Sequence, residues 1–169
     1  VEDVVISGGV LNLASAGKTR GIYVSMNNTD TNALTIDDST IPGIQVDATN
    51  GADIGHGLIT QSRIAAKSNI EGILLNVNQG TADNFRIVDN LEITSPNKEF
   101  INVRSNNAPI DNLTIANNTI GNVTAGAGLL FRADGDTFVQ PLILTNNSTR
   151  NEQIQTFVVD LTSVGMVFD

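Results

Sequence analysis

The charged residues best suited to do chemistry together recur at one position of a repeating pattern. Arg104 and Arg132 are 28 residues apart, and Asp160 follows at the same interval. Asp134 and Asp136 come just after Arg132. Guanidinium groups can hold the carboxylates of an acidic glycan through paired hydrogen bonds, and two carboxylates at a suitable separation can act as acid and base or nucleophile on a glycosidic bond. We therefore assign the arginines to substrate binding and the three aspartates to catalysis.

Two asparagines are assigned to substrate binding with the arginines. The repeat puts Asn76 in the same outward column as Arg104, and Asn102 in the neighbouring outward column. Successive rungs should lie about 4.8 Å apart, which would make Arg104 and Arg132 neighbours. The alternative is a ladder of surface charges in which each arginine neutralises a nearby aspartate and contributes little to stability. Two arginines on adjacent rungs repel each other unless Asp160 or a ligand lies between them, and for this reason a binding site stays open beside the charge ladder.

We expect no cofactor and no metal ligand set. The sequence ADGDT resembles a calcium loop but lacks the remaining spaced ligands and the terminal Glu. Calcium held between Asp134, Asp136 and Asp160 is the one metal site that these residues suggest. His56 is the single histidine, and because no neighbour completes a nucleophile or metal set, we expect its side chain to be solvated.

These residues belong to a chain that repeats one strand pattern along nearly its whole length. Runs such as GIYVSMNN, GILLNVNQ and FINVRSNN begin successive segments, and their first apolar residues recur every 22 to 29 residues. Three apolar columns result: Ile22, Ile44, Ile73, Ile101, Leu129 and Phe157; then Ile36, Ile59, Ile87, Ile115 and Leu144; then Ile41, Ile64, Ile93, Ile120 and Thr149.

The pattern predicts an all-β fold, a single-stranded parallel β-helix of about six coils of 22–29 residues with three short strands in each coil. Repeats of this length with strand-like alternation bury their apolar faces only by stacking. Helical repeats would need apolar spacings of three and four, which are absent. We expect one domain over residues 1–169, as a portion of a larger chain or assembly.

The corner between the second and third strands carries a pair of polar residues in each coil. These pairs are Asp38-Ser39, Gln61-Ser62, Asp89-Asn90, Asn117-Asn118 and Asn146-Asn147. A tight bend needs a left-handed residue, and Asn and Asp adopt that conformation most readily after Gly. Side-chain amides stacked at one level could also form a hydrogen-bonded ladder along the axis.

Composition excludes several classes of function. The net charge of −9 argues against binding nucleic acid or an anionic membrane through bulk electrostatics. The chain has no cysteine, so disulfides and thiolate metal sites are excluded. No apolar run is long enough to cross a membrane, and we expect neither nucleic acid nor membrane insertion.

Three motifs carry a resemblance to a known family. NLTIANNTI, FRIVDNLEI and ALTIDDSTI, each followed by a run like GILL or GIQV, resemble coils of the right-handed parallel β-helices of the pectate-lyase-like superfamily. That superfamily includes polysaccharide lyases, hydrolases and epimerases, bacteriophage tailspikes and surface adhesins. The resemblance implies a right-handed helix and a polysaccharide or cell surface as the partner, but fold alone does not select a function.

The resulting hypothesis is recognition of a cell-surface polysaccharide by part of a phage tailspike or tail fibre, or a similar protein, at an extracellular or virion surface. The alternatives are a small extracellular polysaccharide lyase or glycoside hydrolase, and a structural adhesin stalk without catalysis. Whether the protein is an enzyme stays open at this point.

Self-association is also expected, as a homo-oligomer such as a trimer or as a larger assembly. Leu74, Leu130 and Val158 form an outward apolar stripe, which either contacts another solenoid or is covered by a loop or tail of the same chain. The opening VEDVVIS enters directly in a strand pattern, and Phe157 lies in a full apolar rung near the other end. Unpaired terminal rungs are templates for further strand pairing.

Overall fold

The computed structural model describes residues 3–9, 20–67, 69–121, 129–134, 139–145, 147–149 and 157–161. Over these residues the protein is an all-β parallel solenoid without a helix. In chain order the strands are β1 (Asp3–Ser7), β2 (Ile22–Asn27), β3 (Ala33–Asp37), β4 (Thr40–Ile41), β5 (Ile44–Thr49), β6 (Asp53–Ile54), β7 (Gly57–Thr60), β8 (Arg63–Ala65), β9 (Ile73–Asn78), β10 (Thr81–Asp83), β11 (Arg86–Val88), β12 (Glu92–Thr94), β13 (Ile101–Asn106), β14 (Ile110–Ala116), β15 (Thr119–Ile120), β16 (Leu129–Asp134), β17 (Val139–Thr145), β18 (Ser148–Thr149) and β19 (Phe157–Leu161).

Three parallel sheets run along the axis. Sheet A has the order β1-β3-β7-β11-β14-β17, and the short strands β10 and β6 join it through β14. Sheet B has the order β4-β8-β12-β15-β18, and sheet C the order β2-β5-β9-β13-β16-β19. In each turn the chain passes from sheet C to sheet A and then to sheet B.

The strand register confirms the three predicted apolar columns. In sheet C, Ile22 pairs with Ile44, and the column continues through equivalent positions to Phe157. The second column runs along sheet A from Ile36 to Leu144, and the third along sheet B from Ile41 to Thr149. The predicted β-helix and its three strands per coil are therefore the observed fold.

The described residues form fewer complete turns than the sequence predicted. About four turns are described together with their side chains, from β2–β4 through β5–β8 and β9–β12 to β13–β15. β1 precedes these turns, and β16 to β19 follow them as a backbone ladder. The prediction of about six coils counted these outlying strands as full coils.

The core is mainly aliphatic because stacked rungs bring identical positions together. Ile36, Ile59 and Ile115 have no exposed surface. Two rings, Phe85 and Phe100, are also fully buried. A Cβ on Gly57 would lie 2.1 Å from Cδ2 of Phe85, so the Phe85 ring requires a glycine on the rung beside it.

The corner between sheets A and B contains the hypothesised axial ladder. In the four pairs whose first residue is described, that residue is left-handed, as at Asp89 and Asn117, both with φ 56°. The second points inward: the Asn118 side-chain amide donates to Ile87 O at 2.8 Å and to Asn147 Oδ1 at 2.9 Å. The ladder runs through Ser39, Ser62, Asn90, Asn118 and Asn147, with each backbone N–H donating to the side-chain oxygen of the next rung.

Candidate ligand-binding face

The outer surface of sheet C holds the candidate binding residues, because inward and outward positions alternate along its strands. The first outward column is, in rung order, Tyr23, Gln45, Leu74, Asn102, Leu130 and Val158. The second is Ser25, Asp47, Asn76, Arg104, Arg132 and Asp160.

The register brings the two arginines to adjacent rungs. Arg104 pairs with Asn76 on one side and with Arg132 on the other, and Arg132 pairs with Asp160. Asp134 lies at the end of the Arg132 strand, opposite Asn106. Only the backbone positions of Arg132, Asp134 and Asp160 are described, and Asp136 lies outside the described residues. Their catalytic or binding roles therefore remain predictions.

Arg104 is fixed by a carboxylate that the sequence analysis did not include. Its guanidinium donates to Glu71 Oε1 at 3.0 Å, while Arg20 donates to Glu71 Oε2 at 2.6 Å. The Glu71 side chain is only 8% exposed, compared with 40% for Arg104 and 20% for Arg20. One carboxylate bridges two guanidinium groups, which leaves this group of three residues with a net positive charge.

Strand periodicity could not reveal Glu71 or Arg20, because both lie outside the strands. Glu71 comes from the lengthened corner between β8 and β9, and Arg20 lies just before β2. That corner packs firmly: Ile70 is 1% exposed, and its carbonyl accepts a hydrogen bond from Ser95 Oγ at 2.8 Å. The unusual length of the corner was the one sequence signal that could have drawn attention to Glu71.

Asn102 lies beneath the surface rather than on it. It is 1% exposed, and its Oδ1 accepts a long hydrogen bond of 3.4 Å from Arg104 Nε. Its Nδ2 and the Nε of Arg20 are buried without a hydrogen-bond partner. An unsatisfied buried donor is costly, and in this part of the face the buried donors outnumber their acceptors.

On the other half of the face, three side chains donate hydrogen bonds to Asp47. Its carboxylate accepts hydrogen bonds from Tyr23 Oη at 2.7 Å, from Gln45 Nε2 at 2.8 Å and from Asn76 Nδ2 at 3.3 Å. Asp47 is 7% exposed, and the donors from these three neighbouring rungs take up most of the acceptor capacity of its carboxylate. Asn76 therefore lies between a satisfied acid and the arginine column.

Of the three residues in the apolar stripe, only Leu74 has a described side chain, and that side chain is covered. Leu74 is 4% exposed within the single chain, which agrees with the alternative that the chain itself covers this residue. Leu74 therefore offers almost no surface to another solenoid, and the prediction of a homo-oligomer stays a prediction. The Leu130 and Val158 side chains lie outside the described residues.

A separate acidic column lies on the short strands of sheet A. Burial raises the pKa of Asp83 above its ordinary value, and the nearby charges of Asp53 and Asp111 raise it further, while His56 opposes them. Asp53 also accepts a hydrogen bond from Thr81 Oγ1. His56 is exposed, as expected. These residues are not part of the sheet C face.

The described residues contain no group of three or more His, Cys, Asp or Glu side chains that could hold a metal ion. Among the same residues there is no helix with the length and hydropathy needed to cross a membrane. Comparisons with protein-family models, curated proteins and solved structures found no match to this chain.

Proposed function

We propose that the protein binds an acidic polysaccharide of a cell surface through the outer face of sheet C. The observation that carries the proposal is the pairing of Arg104 and Arg132 on adjacent rungs, with Asn76 on the other side of Arg104 and with Glu71 fixing the Arg104 guanidinium. A guanidinium fixed on a rigid strand loses little freedom when it binds, so its hydrogen bonds to a carboxylate count more fully towards affinity.

Glu71 reduces the electrostatic repulsion that two arginines on adjacent rungs experience. Two arginines about 4.8 Å apart repel each other, and the near-buried Glu71 carboxylate offsets part of that repulsion on the Arg104 side. The Arg104 side chain is still 40% exposed. Its remaining N–H groups can therefore receive the carboxylate of a uronic acid unit, and the proposal adds Arg132 as a second donor because its backbone is paired on the next rung.

The attraction between the protein and an acidic polysaccharide would be limited to the arginine column, because the whole chain carries a net charge of −9. A polyanion is repelled by the protein as a whole and held only at the arginine column. Selectivity for acidic over neutral glycans then depends on a few bidentate contacts rather than on a broad basic surface.

The setting we propose is a surface-binding protein such as a phage tailspike or tail fibre, outside the cell or on a virion. Its support is the parallel solenoid fold, together with the resemblance of its coil motifs to the pectate-lyase-like superfamily. Catalysis by Asp134, Asp136 and Asp160 remains the alternative, and the same assay tests it if the release of shortened glycan is also measured.

The test is calorimetric titration of the full chain with polygalacturonate, and with neutral dextran for comparison. We expect binding to polygalacturonate only. Arg132→Ala should weaken binding by about tenfold or more, since a hydrogen bond to a charged group contributes about 1.5–3 kcal/mol. Arg104→Ala should also weaken binding.

Arg86→Ala is the matched control, because Arg86 is an exposed arginine on β11 of sheet A. Its affinity for polygalacturonate should match that of the wild type. Equal binding by Arg132→Ala and the wild type, or an equal loss in Arg86→Ala, would reject the sheet C face as the site.

A further inference from the structure

The charges on the outer face of sheet C change along the solenoid axis. The second outward column carries its arginines on β13 and β16, whereas the rungs of β2, β5 and β9 carry Ser25, Asp47 and Asn76. Arg104 therefore lies two rungs from Asp47. A ligand that lies along this face meets a positive charge at one end and a negative charge towards the other, so a uniformly acidic ligand is attracted at the first and repelled at the second.

The amide side chains beside Asp47 are left with acceptors rather than donors. Gln45 Nε2 donates to both Asp47 oxygens at 2.8 Å, and Asn76 Nδ2 donates to Asp47 Oδ1 at 3.3 Å. Both side chains are half-buried, and no described residue donates to the carbonyl oxygen of either amide. A carbonyl oxygen accepts a hydrogen bond from a hydroxyl group, whereas a carboxylate has no proton to donate. These rungs therefore suit the hydroxyl groups of an uncharged sugar.

Tyr23 presents an aromatic ring on the same part of the face. It is 60% exposed, and its hydroxyl donates to Asp47 Oδ2 at 2.7 Å, which fixes the direction of the ring. The face of an aromatic ring is apolar and carries partial negative charge. It repels a carboxylate, whereas the C–H groups on one face of a sugar ring can pack against it. Because the side chain is already held in place, it loses little freedom when a ligand binds.

Only an extended ligand can reach both Tyr23 and Arg104. They lie three rungs apart, with β5 and β9 between their strands. This separation corresponds to about 14 Å along the axis, which is longer than a single sugar ring. Gln45 and Asn76 lie on the two rungs between them. An oligosaccharide along the axis would therefore contact the arginine, the two amides and the tyrosine ring in that order.

We propose that sheet C binds a glycan of mixed charge along the solenoid axis, with an acidic sugar on Arg104 and an uncharged sugar stacked on Tyr23. This inference rests on the proposed function and narrows it. The ligand class is a polysaccharide in which uncharged sugars separate the acidic ones, rather than a polymer with a carboxylate on every unit. Tyr23 is the residue that selects the uncharged sugar.

The test varies the charge of a single polymer. Polygalacturonate is compared with samples of the same chain length in which about half, or all, of the carboxyl groups have been reduced to alcohols. Calorimetric titration of the full chain is run at about 0.15 M sodium chloride, where general repulsion is screened beyond about 8 Å. The half-reduced polymer should bind most tightly and the fully acidic polymer more weakly. The fully reduced polymer should not bind, because it has no carboxylate for Arg104.

Tyr23→Ala and Tyr23→Phe separate the ring from its hydroxyl. Both variants lose the hydrogen bond to Asp47, but only Tyr23→Phe keeps the ring. Tyr23→Ala should weaken binding of the half-reduced polymer about two- to tenfold, the factor expected for one stacked ring. It should also remove most of the advantage of that polymer over the fully acidic one. Tyr23→Phe should lose much less, and thermal melting followed by circular dichroism checks that both variants are folded.

The outcomes separate this inference from the proposed function. Affinity that falls steadily as carboxyl groups are reduced would overturn the mixed-charge ligand and leave binding at Arg104 standing. Equal affinities of Tyr23→Ala and Tyr23→Phe would do the same. If no polymer binds, or if the fully acidic polymer binds Arg104→Ala and Arg132→Ala as tightly as the wild type, the proposed function fails and this inference fails with it.

Discussion

At the scale of single residues, Glu71 decides how the charges of the sheet C face are arranged. Its carboxylate is 8% exposed and accepts hydrogen bonds from both Arg104 and Arg20. A carboxylate this far removed from water needs compensating donors, and the two guanidinium groups provide them. The same hydrogen bond fixes the position of the Arg104 guanidinium, and Arg132 lies on the next rung.

Glu71→Gln should therefore destabilise the protein. The substitution keeps the size of the side chain but removes the charge that two partly buried guanidinium groups require. Breaking a fully buried ion pair costs about 3–5 kcal/mol, and the partial exposure of Arg104 reduces the expected loss to about 1–3 kcal/mol. Urea unfolding measures the loss.

The control is Glu92→Gln, which breaks the ion pair with Arg63 at 3.2 Å. The Arg63 side chain is 51% exposed, and exposed ion pairs contribute about 0–1 kcal/mol. If the two variants lose equal stability, the Glu71 bridge is no more important than an ordinary surface pair.

Asp83 gives a prediction about pH. Its pKa is raised in the folded protein by burial and by the charges of Asp53 and Asp111. The ionised carboxylate is thus disfavoured in the fold, and it lowers stability at pH values above the raised pKa. As the pH falls through that pKa, the folded state takes up the proton first and the penalty disappears.

Asp83→Asn should accordingly melt at a higher temperature than the wild type at neutral pH. The difference should shrink as the pH falls through the raised pKa of Asp83 towards its unfolded value. Asp3→Asn is the control, because Asp3 is exposed on β1. A gap in melting temperature that stays constant with pH would show that the ionisation of Asp83 is not the cause.

At the scale of elements, the strand positions and the polar corner between sheets A and B were predictable, whereas the contacts of the lengthened corner between β8 and β9 were not. Ile101 and Ile115 follow a strand alternation and a fixed repeat, so their columns could be read directly from spacing. Glu71 reaches the face from a corner of unusual length, and no periodicity determines where such a corner folds. The sequence likewise did not show that Asn102 is buried, with 1% of its surface exposed. Strand alternation predicts that a side chain points outward but not which residues cover it.

The axial ladder at the A–B corner is the element whose contribution to stability is most readily measured. Asn118 has no exposed surface, donates to Ile87 O and Asn147 Oδ1, and accepts from the Asn90 side chain at 2.8 Å. Asn118→Ala leaves several buried polar groups without partners, each costing about 1–3 kcal/mol. We expect a loss of about 2–4 kcal/mol in urea unfolding.

Serine offers a graded comparison at the same position. Ser62 already occupies this ladder one rung before Asn90, where its Oγ accepts from Ser39 N at 3.2 Å and donates to Thr60 O at 2.8 Å. Asn118→Ser should therefore retain the bond from Asn90 N and lose less stability than Asn118→Ala. Equal losses in the two variants would mean that volume, not hydrogen bonding, determines the cost.

At the scale of the whole molecule, net charge opposes the local attraction proposed at the arginine column. The chain carries a charge of −9 and has a pI of about 4.3, so it repels a polyanion at neutral pH. This repulsion acts before the two molecules touch, and it is screened over about 10 Å at 0.1 M salt. Hydrogen bonds from Arg104 to a carboxylate act only at contact.

The association rate constant for polygalacturonate should therefore rise as salt is added at neutral pH. The measurement is binding of the full chain to immobilised polygalacturonate on a sensor surface, with sodium chloride rising from a few millimolar to about 0.1 M. Screening removes the long-range repulsion between the polyanion and a chain of charge −9, so encounters become more frequent. A rate constant that falls with salt would show that a broad basic surface attracts the polyanion, and binding at the arginine column alone does not predict that result.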